Sequence, residues 1–324
     1  MIEINSAFEK TNRVVVISLN PAIDLTGMLD SINLGHVNAI NNSEQHPAGK
    51  GINVASVLVS LGAAVTLTGF LGQDNANDFT NLFNSIGIVD DCIKVPGSTR
   101  TNCKLVDSHN QVTEFNFQGF IVTETLIEKL EKRVLALTNN HDYFVISGSV
   151  PPGFKEMYLF DWITKLRKMN KRVLFDSSKD ALKQGMQALP WLVKPNEHEL
   201  SSYSGKLLIH EQDYLIAAKN LLAQGIEQVV ISKGEKGVLW VNQEGILISI
   251  PPPMNIVSTV GAGDTLVAGL CWSFMQQFSR TETLSFSTAL AALSVTQVGV
   301  CLPSLEEIYV TQKSVAIKKF DRAG

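Results

Sequence analysis

The run Ser258–Asp264 combines the residue types that hold a phosphate and act on it. Gly261 and Gly263 let successive backbone N–H groups converge on one point, and the apolar segment 266–270 predicts a helix whose positive end adds to that point. Such a turn suits an anion, above all a phosphate in transfer. A carboxylate would repel that phosphate, so Asp264 is best explained as a base for the attacking hydroxyl group. The catalytic candidates are therefore Gly261, Ala262, Gly263 and Asp264.

A second glycine motif, Ala48–Ala55, precedes a pattern typical of an amphipathic helix. Gly49 and Gly51 permit close approach of the backbone to a ligand, and Asn53 offers the donor and the acceptor that sugar hydroxyl groups need. The motif is not a Walker A loop, because Glu44 stands at its first glycine position and Gly51 at its Ser or Thr position. A flexible turn before a core helix is the alternative.

Two further polar groups could bind a phosphorylated sugar. Asp24 ends the run Asn20–Asp24, where a carboxylate could accept hydrogen bonds from two neighbouring hydroxyl groups of a polyol. A surface or capping role is the alternative for Asp24. Farther along the chain Arg100 stands beside Asn102 and Lys104. Arginine is preferred for bidentate phosphate recognition and lysine acts as a point charge, whereas solvated surface charge is the alternative.

Two more motifs follow strand-like runs. Asn196 and Glu199 stand three residues apart at a predicted helix start, where both could face one Mg²⁺ ion through bound water. The same spacing predicts a capping pair, and the two interpretations are compatible. The run Ser232–Gly237 follows a buried strand and could wrap the phosphates and ribose of a nucleotide, with a simple hairpin turn as the alternative.

The composition is that of a folded globular protein. Of 324 residues, 45% are hydrophobic and 18% are charged, and 27 Lys and Arg residues against 31 Asp and Glu residues give a net charge of −4. Without a basic block, a nucleic-acid partner is not expected. No apolar run reaches the ~18 residues of a membrane span, so we expect a cytoplasmic protein without membrane contact. Four cysteines are predicted to be buried thiols: Cys92, Cys103, Cys271 and Cys301.

Strand-like and helix-like runs alternate along most of the chain, which predicts a mainly parallel sheet covered on both faces by helices. The predicted strands are Arg13–Ser18, Val65–Thr68, Tyr143–Ser147, Arg172–Asp176, Trp191–Lys194 and Val229–Ser232. The predicted helices include Thr125–Leu137, Met157–Lys168 and Tyr214–Ala223. Ligands in such folds bind beyond the carboxyl ends of the strands.

Two polar segments, roughly 25–46 and 93–119, break this alternation. Their alternating stretches predict a small separate sheet that acts as a lid, with long surface loops as the alternative. No interdomain linker is evident, so we expect a single α/β domain over residues 1–324 with the lid inserted in it.

Together these runs resemble the ribokinase-like (PfkB-type) carbohydrate kinases. The resemblance covers nearly the whole chain and rests on two signatures in the family's order: the Ala48–Ala55 motif, continued by Gly62 and Gly72, and the motif Ser258–Leu270. Within the family, the chain is most similar to the branch that acts on fructose 1-phosphate. The fold that the resemblance implies is a parallel sheet between helices with a small β lid, and such lids often pair to make a homodimer.

The resemblance implies transfer of the ATP γ-phosphate to the 6-hydroxyl group of fructose 1-phosphate. Asp264 would be the base, and the amides of residues 261–264 the anion hole. The substrate residues would be Asp24, Gly49, Lys50, Asn53, Arg100, Asn102 and Lys104. The nucleotide residues would be Lys194, Ser232, Gly234, Glu235, Gly237 and Thr259, and the Mg²⁺ residues Asn196 and Glu199. Tagatose 6-phosphate or fructose 6-phosphate as substrate, or a sensor without activity, are the alternatives.

Overall fold

Strands and helices alternate along the protein in a computed structural model that describes residues 12–109, 111–297 and 303–320. The strands are β1 (Arg13–Ser18), β2 (Ala22–Met28), β3 (Asn42–Ala48), β4 (Ala64–Gly72), β5 (Val89–Val95), β6 (Arg100–Val106), β7 (Val112–Asn116), β8 (Tyr143–Ser147), β9 (Arg172–Asp176), β10 (Leu192–Val193), β11 (Gln228–Ser232), β12 (Val238–Asn242), β13 (Gly245–Ile250) and β14 (Ala316–Phe320). The helices are α1 (Lys50–Ser60), α2 (Ala76–Ile86), α3 (Glu124–Leu137), α4 (Met157–Lys168), α5 (Lys179–Gln187), α6 (Glu197–Ser204), α7 (Glu211–Gln224), α8 (Ala262–Met275), α9 (Arg280–Ser294) and α10 (Leu305–Ser314).

Ten strands form the large sheet in the order β14-β13-β12-β11-β10-β9-β8-β1-β4-β5. The strands from β11 to β5 run parallel, whereas β12, β13 and β14 are antiparallel additions at one edge. The strand order reverses at β1, which lies between β4 and β8. In an open α/β sheet such a reversal opens a crevice beyond the carboxyl ends of the strands, where ligands bind. The mainly parallel α/β fold is confirmed.

Both faces of the large sheet are buried, which explains why its central strands are continuous apolar runs. In β1, Val14 and Val16 belong to the core on one face, together with Leu266 of α8. Val15 and Ile17 belong to the core on the other face, which α3 and α4 cover. Among the cysteines, Cys92 and Cys271 are buried and Cys103 is half-buried, whereas Cys301 lies outside the described residues.

Four strands form a separate small sheet in the order β3-β2-β6-β7. Strand β2 pairs antiparallel with β3 and parallel with β6, and β6 pairs antiparallel with β7. The segment expected from residue 93 enters this sheet only at Arg100. Residues 93–95 end β5 in the large sheet, because the side chains of Ile93 and Val95 fill the core there. Within the described residues, no helix is long and apolar enough to cross a membrane.

Candidate active site

A cavity of about 1100 Å³ lies between the small sheet and the carboxyl ends of the central strands. It gathers residues from the glycine motifs, the small sheet and the hairpin between β11 and β12. The expected site residues that line it are Asp24, Gly49, Lys50, Asn53, Arg100, Asn102, Lys104, Lys194, Asn196, Ser232, Gly234, Glu235, Gly237, Thr259, Gly261, Ala262, Gly263 and Asp264. Glu199 is not among the lining residues.

The glycine turn starts α8 as an open helix N-terminus. Gly261 is the N-cap residue with φ of 85°, a left-handed conformation that glycine adopts without strain. No side chain caps the helix there, and the backbone N–H of Thr265 is the one that donates to the Gly261 carbonyl oxygen, at 2.8 Å. Gly263 and Asp264 come before Thr265 in the sequence, so their backbone N–H groups belong to the first turn of the helix, where such groups lack intrahelical partners. This geometry is suited to an anion.

Asp264 lies at this turn with 5% of its surface exposed. Burial raises the pKa of its carboxyl group to about 6, although the charge of Lys50 and the hydrogen bond from Asn53 act in the opposite direction. Asn53 Nδ2 donates to Asp264 Oδ2 at 2.8 Å, so the amide fixes one carboxylate oxygen. The carboxylate is ionised at neutral pH and binds a proton more readily than an exposed Asp does, which suits a general base.

Two lysines from different parts of the chain share one buried carboxylate beside the turn. Asp176 is fully buried at the end of β9, and each of its carboxylate oxygens lies 3.3 Å from a lysine Nζ, one of Lys50 and one of Lys194. Burial opposes the charge of Lys50, but the carboxylates of Asp176, Asp264 and Glu199 outweigh burial and raise its pKa. A Cβ atom on Gly263 would lie 3.5 Å from Lys194 Nζ, so this ammonium group is next to the anion-binding turn.

The small sheet contributes a charged wall. Residues 100, 102 and 104 alternate along β6 and line the cavity together. Asn102 Nδ2 donates to Asp24 Oδ1 at 2.9 Å, and Lys104 Nζ donates to Asp24 Oδ2 at 2.6 Å. Arg100 donates from Nη1 to Asn102 Oδ1 at 2.9 Å, and its buried Nε has no hydrogen-bond partner within the described residues. Burial lowers the pKa of Arg100, opposed by Asp24. These groups face the cavity and are only partly exposed to solvent.

Asn196 and Glu199 form a capping box at the start of α6, as the second interpretation of their spacing predicted. Asn196 Oδ1 accepts from the Glu199 backbone N–H at 2.8 Å, and Glu199 Oε2 accepts from the Asn196 backbone N–H at 2.9 Å. No group of three or more His, Cys, Asp or Glu side chains that could hold a metal occurs among the described residues. The charge of Glu199 raises the pKa of Lys50, so Glu199 influences a residue of the cavity wall although it does not line the cavity itself.

The loop Ser232–Gly237 is both a hairpin connection and part of the cavity wall. It joins the antiparallel strands β11 and β12 through a short 3₁₀ turn, Gly234–Lys236. Gly237 has φ of 92°, and a Cβ atom there would lie 1.8 Å from the backbone oxygen of Ser249. Glycine is therefore required where the loop returns to β12.

Sequence reasoning missed two parts of the site. Asp176 has no local motif, and its position at the end of a buried strand is the only signal that could have identified it. The second part is an apolar wall that runs from the loop Ser232–Gly237 to α9. Its residues are Pro251, Pro252, Pro253, Met254, Ile256, Ala291, Ala292 and Val295.

Comparison with known proteins decides the family. Residues 11–308 match the family described as pfkB family carbohydrate kinase. The chain belongs to the pfkB family of carbohydrate kinases. Two similar relatives in this family are named 1-phosphofructokinase. That of Vibrio cholerae is 49% identical over 95% of this chain and 97% of its own. That of Escherichia coli K12 is 43% identical over 96% of this chain and 100% of its own.

Solved structures agree with this membership. Phosphofructokinase-2 from Escherichia coli in complex with potassium superposes with a TM-score of 0.87 at 27% identity, over 93% of this chain and 98% of the other. Ribokinase from Thermotoga maritima superposes with a TM-score of 0.77 at 24% identity, over 93% of this chain and 98% of the other, which shows a shared fold. The pfkB-family kinase thus has the ribokinase-like fold that the sequence motifs predicted.

Proposed function

We propose that this kinase transfers the γ-phosphoryl group of ATP to O6 of fructose 1-phosphate and releases fructose 1,6-bisphosphate and ADP. The main support for this proposal is that one cavity contains both the groups for proton transfer and the groups for phosphate binding. A buried carboxylate, Asp264, lies at an open helix N-terminus, and a cationic wall that includes Arg100 and Lys104 lines the same cavity. The identity of 49% to a 1-phosphofructokinase over nearly the full length supports this choice of acceptor.

In the proposed reaction, Asp264 accepts the proton of the 6-hydroxyl group as O6 attacks the γ-phosphorus. A new O6–P bond forms, and the bond from the γ-phosphorus to the oxygen it shares with the β-phosphate breaks, so that ADP leaves with that electron pair. The first amides of α8 and the ammonium group of Lys194 lie where they can meet the charge on the transferring group. Phosphoryl transfer depends mainly on such positioning and charge neutralisation.

The phosphosugar would lie across the small sheet and the start of α1. Arg100 and Lys104, which both line the cavity, would meet the 1-phosphate, with Asn102 and Lys50 nearby. Asp24 uses one lone pair of each oxygen in the bonds from Asn102 and Lys104, so it keeps acceptor capacity for sugar hydroxyl groups. Gly49, with φ of 111°, lets the backbone approach the sugar closely.

ATP would occupy the other end of the cavity. The apolar wall from Pro251 to Val295 suits the flat face of a purine, and the loop Ser232–Gly237 with Thr259 would contact the ribose and phosphates. ATP supply is one reason to expect the reaction in the cytoplasm.

Mg²⁺ belongs to this proposal as well. Mg²⁺ is often held through one or two carboxylates, substrate phosphates and water, so a site need not contain three protein ligands. The capping box uses Glu199 Oε2, and the remaining carboxylate oxygen with Asn196 could hold the ion through water. When bound, the ion would neutralise charge on the β- and γ-phosphates.

A direct test compares ADP release with fructose 1-phosphate, fructose 6-phosphate and tagatose 6-phosphate. We expect kcat/KM to be highest for fructose 1-phosphate, and Arg100→Ala to lower it mainly through KM for the sugar. Comparable kcat/KM for all three sugars would contradict the acceptor while leaving the kinase activity in place. Absence of ADP release with every sugar phosphate would contradict the kinase and favour a sensor.

We further propose that two copies pair through the small sheet. The face of β6 and β7 turned away from the cavity carries Leu105 and Phe115, and Phe115 is 47% exposed. Ile40 packs near Leu105 and is also exposed, which extends the apolar face. Sedimentation of the wild-type chain should give a dimer and that of Phe115→Asp a monomer; a wild-type monomer would contradict the pairing. An Escherichia coli phosphofructokinase-2 is described in a tetrameric inhibited form, so higher assemblies should be scored too.

A further inference from the structure

The chain passes from the large sheet to the small sheet through residues 96–99. The last of these, Thr99, is held by three hydrogen bonds. Thr99 is 2% exposed and directly precedes Arg100. The Thr99 backbone N–H donates to Asn75 Oδ1 at 2.8 Å, and Asn75 Nδ2 donates to the Thr99 carbonyl oxygen at 3.0 Å. One carboxamide therefore holds both backbone polar groups of the residue before the phosphate-facing arginine.

The Asn75 side chain makes these bonds to Thr99 and does not cap the helix that begins after it. It is the N-cap residue of α2, and asparagine is among the preferred N-cap residues because its side chain can accept from the first helical amides. Here the Asn75 side chain makes no bond to α2. Its oxygen and nitrogen both bind Thr99 instead, which helix stability alone would not favour.

Thr99 is fixed by a third bond from the end of β4. The Gly72 backbone N–H donates to Thr99 Oγ1 at 2.8 Å. A Cβ atom on Gly72 would lie 2.0 Å from the Thr99 nitrogen, so only glycine permits this approach. Gly72 ends β4 of the large sheet and Asn75 begins α2 three residues later, so these contacts fix the entry of β6 relative to the carboxyl end of that sheet.

We propose that Asn75 is a positioning residue for Arg100, acting through the peptide group that joins Thr99 to Arg100. The bond from Asn75 Nδ2 to the Thr99 carbonyl oxygen fixes the plane of that peptide. The direction in which the Arg100 side chain leaves the backbone follows from this plane. The guanidinium then reaches Asn102 Oδ1 and, at 3.4 Å, the Asn20 carbonyl oxygen, and these two bonds hold it at the cavity wall. The inference rests on the proposed contact of Arg100 with the sugar phosphate.

The central variant is Asn75→Ser, because serine caps a helix as well as asparagine but cannot hold both groups of Thr99. We expect KM for fructose 1-phosphate to rise about tenfold, with KM for ATP within twofold, and the melting temperature to fall because the buried backbone groups of Thr99 lose their partner. Thr99→Val should have a similar effect because it removes the acceptor for the Gly72 N–H. Thr99→Ser keeps the hydroxyl group and should therefore retain most of the affinity for the sugar phosphate. Thr123→Ala is the matched control: it removes the cap of α3 and should lower stability without changing either KM.

A double-mutant cycle separates positioning from a general structural role. In an Arg100→Ala background, Asn75→Ser should cause no further loss of kcat/KM for the sugar phosphate. Additive losses, or an equal rise of both KM values in Asn75→Ser alone, would overturn the proposal. If the wild-type enzyme prefers another sugar phosphate, the proposed substrate is wrong, and the same cycle with that sugar still tests the role of Asn75.

Discussion

Replacing Asp264 by Asn should inactivate the enzyme and at the same time stabilise it. The carboxyl group is buried, and burial raises its pKa from the ordinary 3.8 to about 6. A raised carboxyl pKa means that the folded protein disfavours the ionised form. Asparagine is close in shape to the protonated acid and cannot ionise. The variant therefore removes the unfavourable charge together with the group that accepts the proton.

The magnitude follows from the shift. About two pKa units at 1.36 kcal/mol each correspond to about 3 kcal/mol. An unfolding entropy of about 2.1 cal/mol/K per residue gives about 0.7 kcal/mol/K for a chain of 324 residues. A gain of about 3 kcal/mol therefore raises the melting temperature by about 4 °C. Loss of the general base should lower kcat by about 10²–10⁴-fold.

The stabilisation must depend on pH in a defined direction. The unfolded chain releases this proton near pH 3.8 and the folded chain near pH 6, so the free energy of unfolding falls between these values as pH rises. Below about pH 4 both states hold the proton, and Asp264→Asn should make little difference. The full stabilisation should appear above about pH 6 and stay constant beyond it.

Thermal unfolding of both proteins at pH 4, 5, 6 and 8 tests this directly, with ADP release measured on the same samples. Asp176→Asn is the contrasting variant. It leaves Lys50 and Lys194 without the carboxylate they share, so it should lower the melting temperature. If Asp264→Asn melts at or below the wild type at pH 8, or keeps near-native kcat, the assignment of Asp264 as a buried base is refuted.

Groups around Asp264 should also respond in defined ways when they are replaced. A plot of kcat/KM against pH should fall on its acid side with an apparent pKa near 6. This apparent pKa should rise more in Lys50→Met than in Lys194→Met, because Lys50 lowers the pKa of Asp264 more strongly. An apparent pKa that is unchanged in both variants would contradict this. Gly237→Ala should destabilise the protein by more than about 1 kcal/mol and raise KM for ATP, because the new Cβ meets backbone; unchanged unfolding would contradict it. Arg100→Lys should raise KM for fructose 1-phosphate about tenfold, since lysine cannot replace a bidentate contact; an unchanged KM would exclude that contact.

The parts of the site that depend on local patterns could be predicted from the sequence. The sequence encodes within a few residues the glycine turn at 261–263, the buried carboxylate of Asp264 after it, and Asn53 one turn into α1. The alternation of Arg100, Asn102 and Lys104 on one strand face is equally local. The central strands could be identified because burial on both faces makes them continuous apolar runs.

What could not be predicted depends on contacts between distant residues. Asp176 meets Lys50 across 126 positions of the chain, and nothing near either residue indicates the other. Asn75 stands at an ordinary helix start, and only the fold shows that its side chain turns to Thr99 instead. The boundary at residue 93 was wrong for a similar reason. The pattern of β5 resembles that of a half-exposed strand, and its neighbour β4 decides which sheet it joins.

In the proposed mechanism, the position of Asp176 lets one site hold a base and still attract phosphate. The charges of Lys50 and Lys194 both favour the ionised form of Asp264. Two ammonium groups near a helix N-terminus would repel that positive end and one another. The buried carboxylate of Asp176 offsets this repulsion and holds the lysines apart on separate oxygens. An arriving phosphate then meets cations that are already positioned, which is the condition under which electrostatic stabilisation of a transition state is strongest.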